Sequence, residues 1–252
     1  MIPGLSIVFV TALTFQNPPV DGLRNANIPT NPPPADQKIT PELRGDIFMA
    51  RKMYRDAIDM YKQGPETAVL ANKTGIAYHL LLDFNSAKKC YQRAIKLNPK
   101  YPEAINNLGT VYYAQKSYRR AIKEYKKALQ VSPDSASILS NLGTAYLARK
   151  KYEIAFATYQ QALQLDPDVF EHRGSTGVLL EERTVQERAK YHYYLAKTYA
   201  KAGDNDRAIE YIRKALEEGF KDREKFEKEP EFAGLQKDPE FIKLMETEQK
   251  VL

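Results

Sequence analysis

Few residues of this chain have the types and spacing that catalytic or metal-binding chemistry needs. The three histidines, His79, His172 and His192, are far apart, and no pair has the spacing of a metal-binding H-E-x-x-H motif. The segment "GSTG" at residues 174–177 lacks the lysine and the strand–helix context of a phosphate-binding loop. The single cysteine, Cys90, has no histidine partner that the sequence would place beside it. The sequence therefore predicts a protein that is not an enzyme and that holds no metal and no other cofactor.

The chain instead repeats itself at a fixed interval. The stretch "NNLGTVYYAQKSYRRAIKEYKKALQVSP" begins at Asn106, and "SNLGTAYLARKKYEIAFATYQQALQLDP" begins 34 residues later at Ser140. Small residues, aromatic residues and a terminal proline keep phase, whereas the charged residues vary. In three copies these positions hold Gly75, Gly109 and Gly143, then Tyr91, Tyr125 and Tyr159, then Pro99, Pro133 and Pro167. A repeat of packing residues indicates one structural unit repeated in space.

Each unit has the pattern of two amphipathic helices. Leu108 and Tyr112 share one helical face, and Ala121 and Tyr125 share another. Pro133 cannot continue a helix and so ends the second one. Because a lone pair of helices cannot bury its apolar face, the units must stack into a solenoid.

These residues resemble the tetratricopeptide repeat family, whose period is 34 residues and whose pattern is W-x2-L-G-x2-Y, A-x3-F and P. Leu108, Gly109 and Tyr112 carry the first part of the pattern, while Ile105 and Leu139 stand at the Trp position of two copies. The resemblance implies an all-α fold, namely a right-handed α-solenoid of about five helix-turn-helix repeats closed by a C-terminal helical cap. The closing segment also resembles the one that follows such arrays in some bacterial exported proteins.

The array is complete once two breaks in the period are allowed. The first copy precedes its neighbour by 30 residues, because Gly64 and Pro65 end its second helix about a turn early. The last copy follows by 53 residues, which implies an insertion in which Thr184 and Glu187 have the spacing of a capping box. We expect this insertion to form a lid or a second contact beside the basic, carboxyl-terminal end of the groove. The assignment is repeats at 38–67, 68–101, 102–135, 136–169 and 189–222, an insertion at 170–188, and capping helices at 223–252.

The amino-terminal residues 1–37 have no such periodicity. They combine an apolar run, too short to span a bilayer, with a proline-rich stretch. Val10, Thr11 and Ala12 satisfy the small-residue rule of signal cleavage, but no Lys or Arg precedes the run. The protein is therefore exported or periplasmic if residues 1–12 act as a signal, and cytoplasmic otherwise. No transmembrane segment is predicted.

The function expected from the resemblance is that of a protein-binding scaffold. In that family the first helices line a concave groove that binds peptides. Here the positions on that side are Asn72, Asn106, Thr110, Tyr113, Ser140, Thr144, Tyr193, Lys197 and Lys201. Asparagine can pair with both N–H and C=O of a peptide, and the lysines suit an acidic segment. Alternatively, Asn106 satisfies hydrogen bonds between repeats and Lys197 is a solvated charge.

Three other partner classes can be weighed from the residues. Some members of the family that this chain resembles bind chaperone carboxylates through Lys and Asn at set positions. The matching positions of the first in-phase repeat hold Asn72 and Ile76, so the basic half of the clamp is absent and that subclass is not expected. The net charge of +6 and the pI of about 9.1 fit RNA binding. However, the tyrosines between the basic residues occupy packing positions, and we favour a protein partner over nucleic acid. A homo-oligomeric assembly is a third option, and the sequence leaves the oligomeric state open.

Overall fold

The computed structural model describes residues 39–171 and 184–246. The predicted signal segment, most of the predicted insertion and residues 247–252 lie outside the described residues. Within them the chain forms α-helices joined by turns, and a 3-10 helix at Pro230–Leu235. The helices are α1 (Pro41–Ala50), α2 (Tyr54–Gln63), α3 (Ala68–Leu80), α4 (Phe84–Leu97), α5 (Pro102–Ala114), α6 (Tyr118–Val131), α7 (Ala136–Ala148), α8 (Tyr152–Leu165), α9 (Val185–Ala202), α10 (Asn205–Glu217), α11 (Glu224–Lys228) and α12 (Pro239–Glu246). Consecutive helices pack in pairs, so the all-α solenoid expected from the sequence is confirmed.

Local sequence signals define where the helices begin. The side chains of Thr67 and Ser135 accept hydrogen bonds from the first turns of α3 and α7. Pro102 stands in the first turn of α5, where its missing N–H has no cost. The predicted capping box is confirmed, because Thr184 and Glu187 exchange side-chain and backbone hydrogen bonds at the start of α9.

A glycine packed on a tyrosine ring joins the two helices of each of the first four pairs. A Cβ atom on Gly109 would lie 2.6 Å from Cε1 of Tyr125, and one on Gly143 would lie 2.6 Å from the ring of Tyr159. The two tyrosines have no exposed surface. Only glycine leaves room for the ring, so this contact determines how closely the first and second helices approach.

The turn between the two helices of a pair also repeats. Its residue with positive φ is Lys52, Leu82, Lys116 or Lys150 in the first four pairs, with φ between 57° and 60°, and Gly203 in the last. Non-glycine residues in this left-handed conformation cost about 1–2 kcal/mol, yet here four of them adopt it. The turn therefore requires the conformation and tolerates different side chains.

The last pair departs from the regular stack. Helix α9 begins beside the first turn of α8, where Lys190 Nζ lies 2.8 Å from the hydroxyl of Tyr152 and the ring of Tyr194 stacks on that of Tyr152 at 5.5 Å. It ends near the far end of α8, where the hydroxyl of Tyr199 donates to Glu171 at 3.3 Å. Helix α9 therefore follows the direction of α8, whereas the first helix of each earlier pair starts where the preceding helix ends. Helix α8 is about 20 Å long, so its two ends are clearly separate places for α9 to begin.

The segment after α10 covers one side of α9. The rings of Phe226 and Phe232 are fully buried, and so is Leu235. The ring of Tyr193 stacks on Phe220 with centroids 4.5 Å apart. This carboxyl-terminal segment thus packs against α9, and its role as a cap of the solenoid stays a prediction.

We predict that Gly109→Ala destabilises the protein although alanine is the better helix former. Helix propensity alone would stabilise by about 1 kcal/mol. The clash with the Tyr125 ring should outweigh that gain and lower the free energy of unfolding by about 1–3 kcal/mol. Urea unfolding followed by circular dichroism measures the difference. Gly234→Ala is the control, because the nearest atom to its added Cβ is 3.9 Å away. A net gain in stability for Gly109→Ala would contradict the packing argument.

We also predict that the fold is lost steeply in alkali. Burial raises the pKa of Tyr61, Tyr91, Tyr193, Tyr194, Tyr199 and Tyr211 above the ordinary phenol value. The unfolded chain releases these protons near pH ~10, whereas the folded chain keeps them. The stability due to the neutral phenols is therefore complete below about pH 10 and falls as the pH rises above it. Phenolate absorbance and helical circular dichroism should change together, and Tyr91→Phe should move the transition to higher pH. Full ionisation of the tyrosines with the helices intact would contradict this.

Candidate functional site

Two of the polar side chains that the sequence places in a groove, Asn72 and Asn106, are held between repeats. Nδ2 of Asn141 donates to Oδ1 of Asn106 at 3.0 Å, and Nδ2 of Asn107 donates to Oδ1 of Asn72 at 3.0 Å. Asn72 and Asn106 are only 5% and 8% exposed. These amides connect the first helices of neighbouring pairs, as the alternative interpretation of Asn106 proposed. Peptide binding by them stays a prediction.

The hydroxyl groups on the same helices contact the protein's own tyrosines. The hydroxyl of Tyr125 donates to Oγ1 of Thr110 at 3.4 Å, and Oγ1 of Thr144 lies 3.0 Å from the hydroxyl of Tyr159. Ser140 is also buried. These side chains therefore offer little surface to a partner in the conformation described.

The predicted basic end of the groove is covered by the carboxyl-terminal segment. Nζ of Lys197 lies 3.0 Å from Glu229 and 3.5 Å from Glu231. The hydroxyl of Tyr193 donates to Glu229 at 2.6 Å. The chain thus supplies the acidic partner that the sequence analysis expected from another protein. Lys201 is exposed. Tyr193 and Lys197 are therefore not brought together with the predicted residues of α3, α5 and α7.

A cleft of about 500 Å³ lies between the turns that follow α5 and α7 and the first two turns of α9. Of the nine predicted groove residues, Tyr113 lines it. Its aromatic and apolar walls are Tyr113, Tyr118, Tyr152 and Leu147. The rings of Tyr113 and Tyr118 are 5.2 Å apart and tilted by 53°. The walls are therefore preformed by contacts within the fold.

Three lysines and one carboxylate, that of Glu187, are the charged side chains among the described residues that line this cleft. Lys116 and Lys150 contribute from the two turns, and Lys190 contributes from α9. Nζ of Lys190 lies 4.0 Å from the centre of the Tyr152 ring, a cation–π contact that holds the ammonium group against the aromatic wall. Sequence reasoning missed Lys116 and Lys150, because they lie in turns and outside the helix face that the repeat pattern identifies.

A second, more open cleft of about 440 Å³ lies at the first break in the period. Helix α2 ends early at Gly64, and the space is lined by Pro65 and Leu70 on one side and by Cys90 and Arg93 of α4 on the other. Arg93 is paired with Glu66. Burial raises the pKa of the Cys90 thiol, which keeps it neutral and poorly nucleophilic. Both clefts therefore lie where the 34-residue period is interrupted.

The described residues contain no group of three or more His, Cys, Asp or Glu side chains arranged to hold a metal ion. Across residues 39–171 and 184–246, no helix is both long enough and apolar enough to cross a membrane.

Comparison with known proteins agrees with the repeat pattern. Family profiles described as "Tetratricopeptide repeat" match residues 101–168 and 189–219, and one described as "TPR repeat" matches 75–116. No curated protein matches the chain. A crystal structure of MamA is 20% identical, covers 69% of this chain and 93% of its own, and gives a TM-score of 0.49. "MamA 41-end from Desulfovibrio magneticus RS-1" is 22% identical, covers 69% and 90%, and gives 0.49. From the three family matches and the stacked helix pairs, the chain is a tetratricopeptide repeat protein.

Proposed function

We propose that this protein is a non-catalytic scaffold that binds a segment of another protein, with one side chain of that segment inserted into the cleft beside Tyr113. Tetratricopeptide repeats support a role in protein–protein interaction. The observation that carries the finer proposal is the cleft itself, an aromatic-walled cavity of about 500 Å³ next to the first helices. Its size is within the range of about 300–1,000 Å³ that ligand pockets occupy.

The other first helices hold the surface around this cleft in a fixed arrangement. Hydrogen bonds between side-chain amides, from Asn107 to Asn72 and from Asn141 to Asn106, join three successive first helices. A surface that is ordered before binding loses less conformational entropy when a partner docks. The buried polar residues thus contribute to binding through the stack, while the cleft contributes the contact.

RNA binding, the alternative function, is less well supported. Proteins that bind single strands stack bases on exposed aromatic rings. On the basic second helices α4 and α6, the rings of Tyr91 and Tyr125 are 1% and 0% exposed. These two rings are therefore not available to stack on bases, and the half-buried Tyr118 at the start of α6 is used as a wall of the cleft.

We predict that Tyr113→Ala removes the binding partner. Anchor side chains at interface centres contribute strongly, so retention from nuclease-treated extract should fall at least about tenfold. The matched control is His79→Ala, one repeat earlier. His79 packs on Phe84 with centroids 5.3 Å apart, as Tyr113 packs on Tyr118 at 5.2 Å, but His79 does not line the cleft.

Thermal unfolding of both variants shows whether they lose similar stability. If the two variants retain the same proteins as the wild type, the cleft is not the binding site. If nuclease treatment removes everything that the wild type retains, the partner is a nucleic acid complex and the scaffold proposal is wrong.

We predict a different outcome at the predicted basic end. Lys197→Met leaves Glu229 and Glu231 without their cation, and the free energy of unfolding should fall by about 1–3 kcal/mol. Capture of the partner should be unchanged. Lys201→Met, at an exposed position of the same helix, should change neither quantity. Loss of capture at unchanged stability would instead make Lys197 a binding residue.

A further inference from the structure

We propose that the cleft beside Tyr113 selects a segment in which acidic residues flank one bulky aromatic or apolar side chain. The inference rests on the proposed scaffold function and adds the chemistry of the partner. Lys116, Lys150 and Lys190 recognise the acidic residues, and the tyrosine walls receive the bulky side chain.

The three ammonium groups at the cleft have no acidic partner within the described part of the chain. None of Lys116, Lys150 and Lys190 forms an ion pair with a carboxylate of residues 39–171 or 184–246. Among the described residues, Lys190 has one hydrogen-bond partner, the Tyr152 hydroxyl at 2.8 Å, which leaves two of its three donors for another acceptor. Within that part of the chain, the three lysines outnumber the one carboxylate that lines the cleft, Glu187.

Two other lysines on first helices, Lys73 and Lys197, are neutralised by the protein itself. Lys73 on α3 lies 2.7 Å from Glu42 and 2.7 Å from Asp46. Lys197 on α9 is paired with Glu229 and Glu231. In contrast to these two doubly paired lysines, the cluster of three lysines at the cleft offers several neighbouring cations to an external carboxylate.

The acidic residue that lines the cleft is engaged in the helix start. Oε2 of Glu187 accepts hydrogen bonds from the backbone N–H of Thr184 at 3.0 Å and from its hydroxyl at 3.1 Å. This carboxylate belongs to the capping box of α9, where it also complements the helix dipole. It is therefore held at the start of α9 by these hydrogen bonds and forms no ion pair with any of the three lysines.

The backbone of the turns does not explain why lysine stands there. Lys116 and Lys150 adopt φ of 57° and 58°, and Gly203 makes the equivalent turn with φ of 81°. Glycine meets the backbone requirement without strain. Lys52 makes the same turn in the first pair, with φ of 59°, but does not line the cleft. Lys52 is thus a control with the same backbone and charge and a different location.

The size and the walls of the cleft indicate which side chain of the partner it accepts. Three tyrosine rings and Leu147 surround a volume that holds a large side chain together with adjacent backbone. Aromatic side chains gain most from such walls, because rings pack in tilted or stacked pairs. Charges at the edge of the cleft favour the correct partner and speed its association, and salt screens them.

The test uses two peptides, acetyl-EEWEE-amide and acetyl-QQWQQ-amide. The chain has no tryptophan, so the fluorescence of the peptide reports its own burial. We expect the acidic peptide to bind about tenfold more tightly than the neutral one at low salt, from several edge charge pairs together. The preference should disappear in Lys116→Glu/Lys150→Glu and persist in Lys52→Glu.

Three results would overturn the inference. The first is equal binding of the two peptides, and the second is no shift in peptide emission up to millimolar peptide. The third is a loss of the preference in Lys52→Glu equal to that in Lys116→Glu/Lys150→Glu, which would indicate diffuse attraction to a basic protein. Light scattering identifies a second copy as the occupant if the cleft is filled by self-association. If capture of a partner depends on Tyr113 but not on Lys116 and Lys150, the acidic preference is wrong while the scaffold function stands.

Discussion

The contact on which the structure depends is a tyrosine ring lying against a glycine. It occurs in each of the first four helix pairs, for example between Gly109 and Tyr125, and it allows the first helix to approach the second without a side chain between them. The tyrosine is buried completely, so each pair is incomplete until the next pair covers its apolar face. This contact requires glycine and tyrosine at fixed positions of each repeat. It explains why the packing residues keep a 34-residue period while the charged surface residues differ from one repeat to the next.

The two clefts described above lie where the 34-residue period is interrupted. A shortened α2 leaves one cleft beside Cys90, and the reversed entry of α9 leaves the larger one beside Tyr113. In the regular part of the stack, amides such as Asn106 and hydroxyls such as Thr144 are used between helices. The repeats therefore provide a rigid support, and the interruptions provide the shape that a partner can enter. The carboxyl-terminal segment has the opposite effect at α9, because its acidic residues cover Lys197.

Much of the fold could be predicted because the residues that make the packing contacts are close together in the sequence. The helix pairs, the close approach at Gly109 and the capping box at Thr184 all follow from residue types at short spacing. The bond between Thr110 and Tyr125 spans 15 residues, and Thr144 and Tyr159 repeat that interval, so this signal was present in the sequence and pointed to burial. The end of α8 at which α9 begins could not be predicted. The spacing gives the length of an insertion but does not say where the next helix begins, and the cleft depends on that position.

Helix α9 begins beside the start of α8, and cross-linking tests this position directly. In a Cys90→Ser background, Gln186→Cys is paired with Lys150→Cys in one variant and with Gln164→Cys in another. Lys150 and Gln186 line the same cleft, whereas Gln164 is in the last turn of α8, where a regular stack would place Gln186. We predict that a short bis-maleimide joins the pair at 150 and 186 and leaves the pair at 164 and 186 unlinked. Efficient linkage of 164 to 186 alone would mean that α9 continues the regular stack, and the cleft beside Tyr113 would not exist.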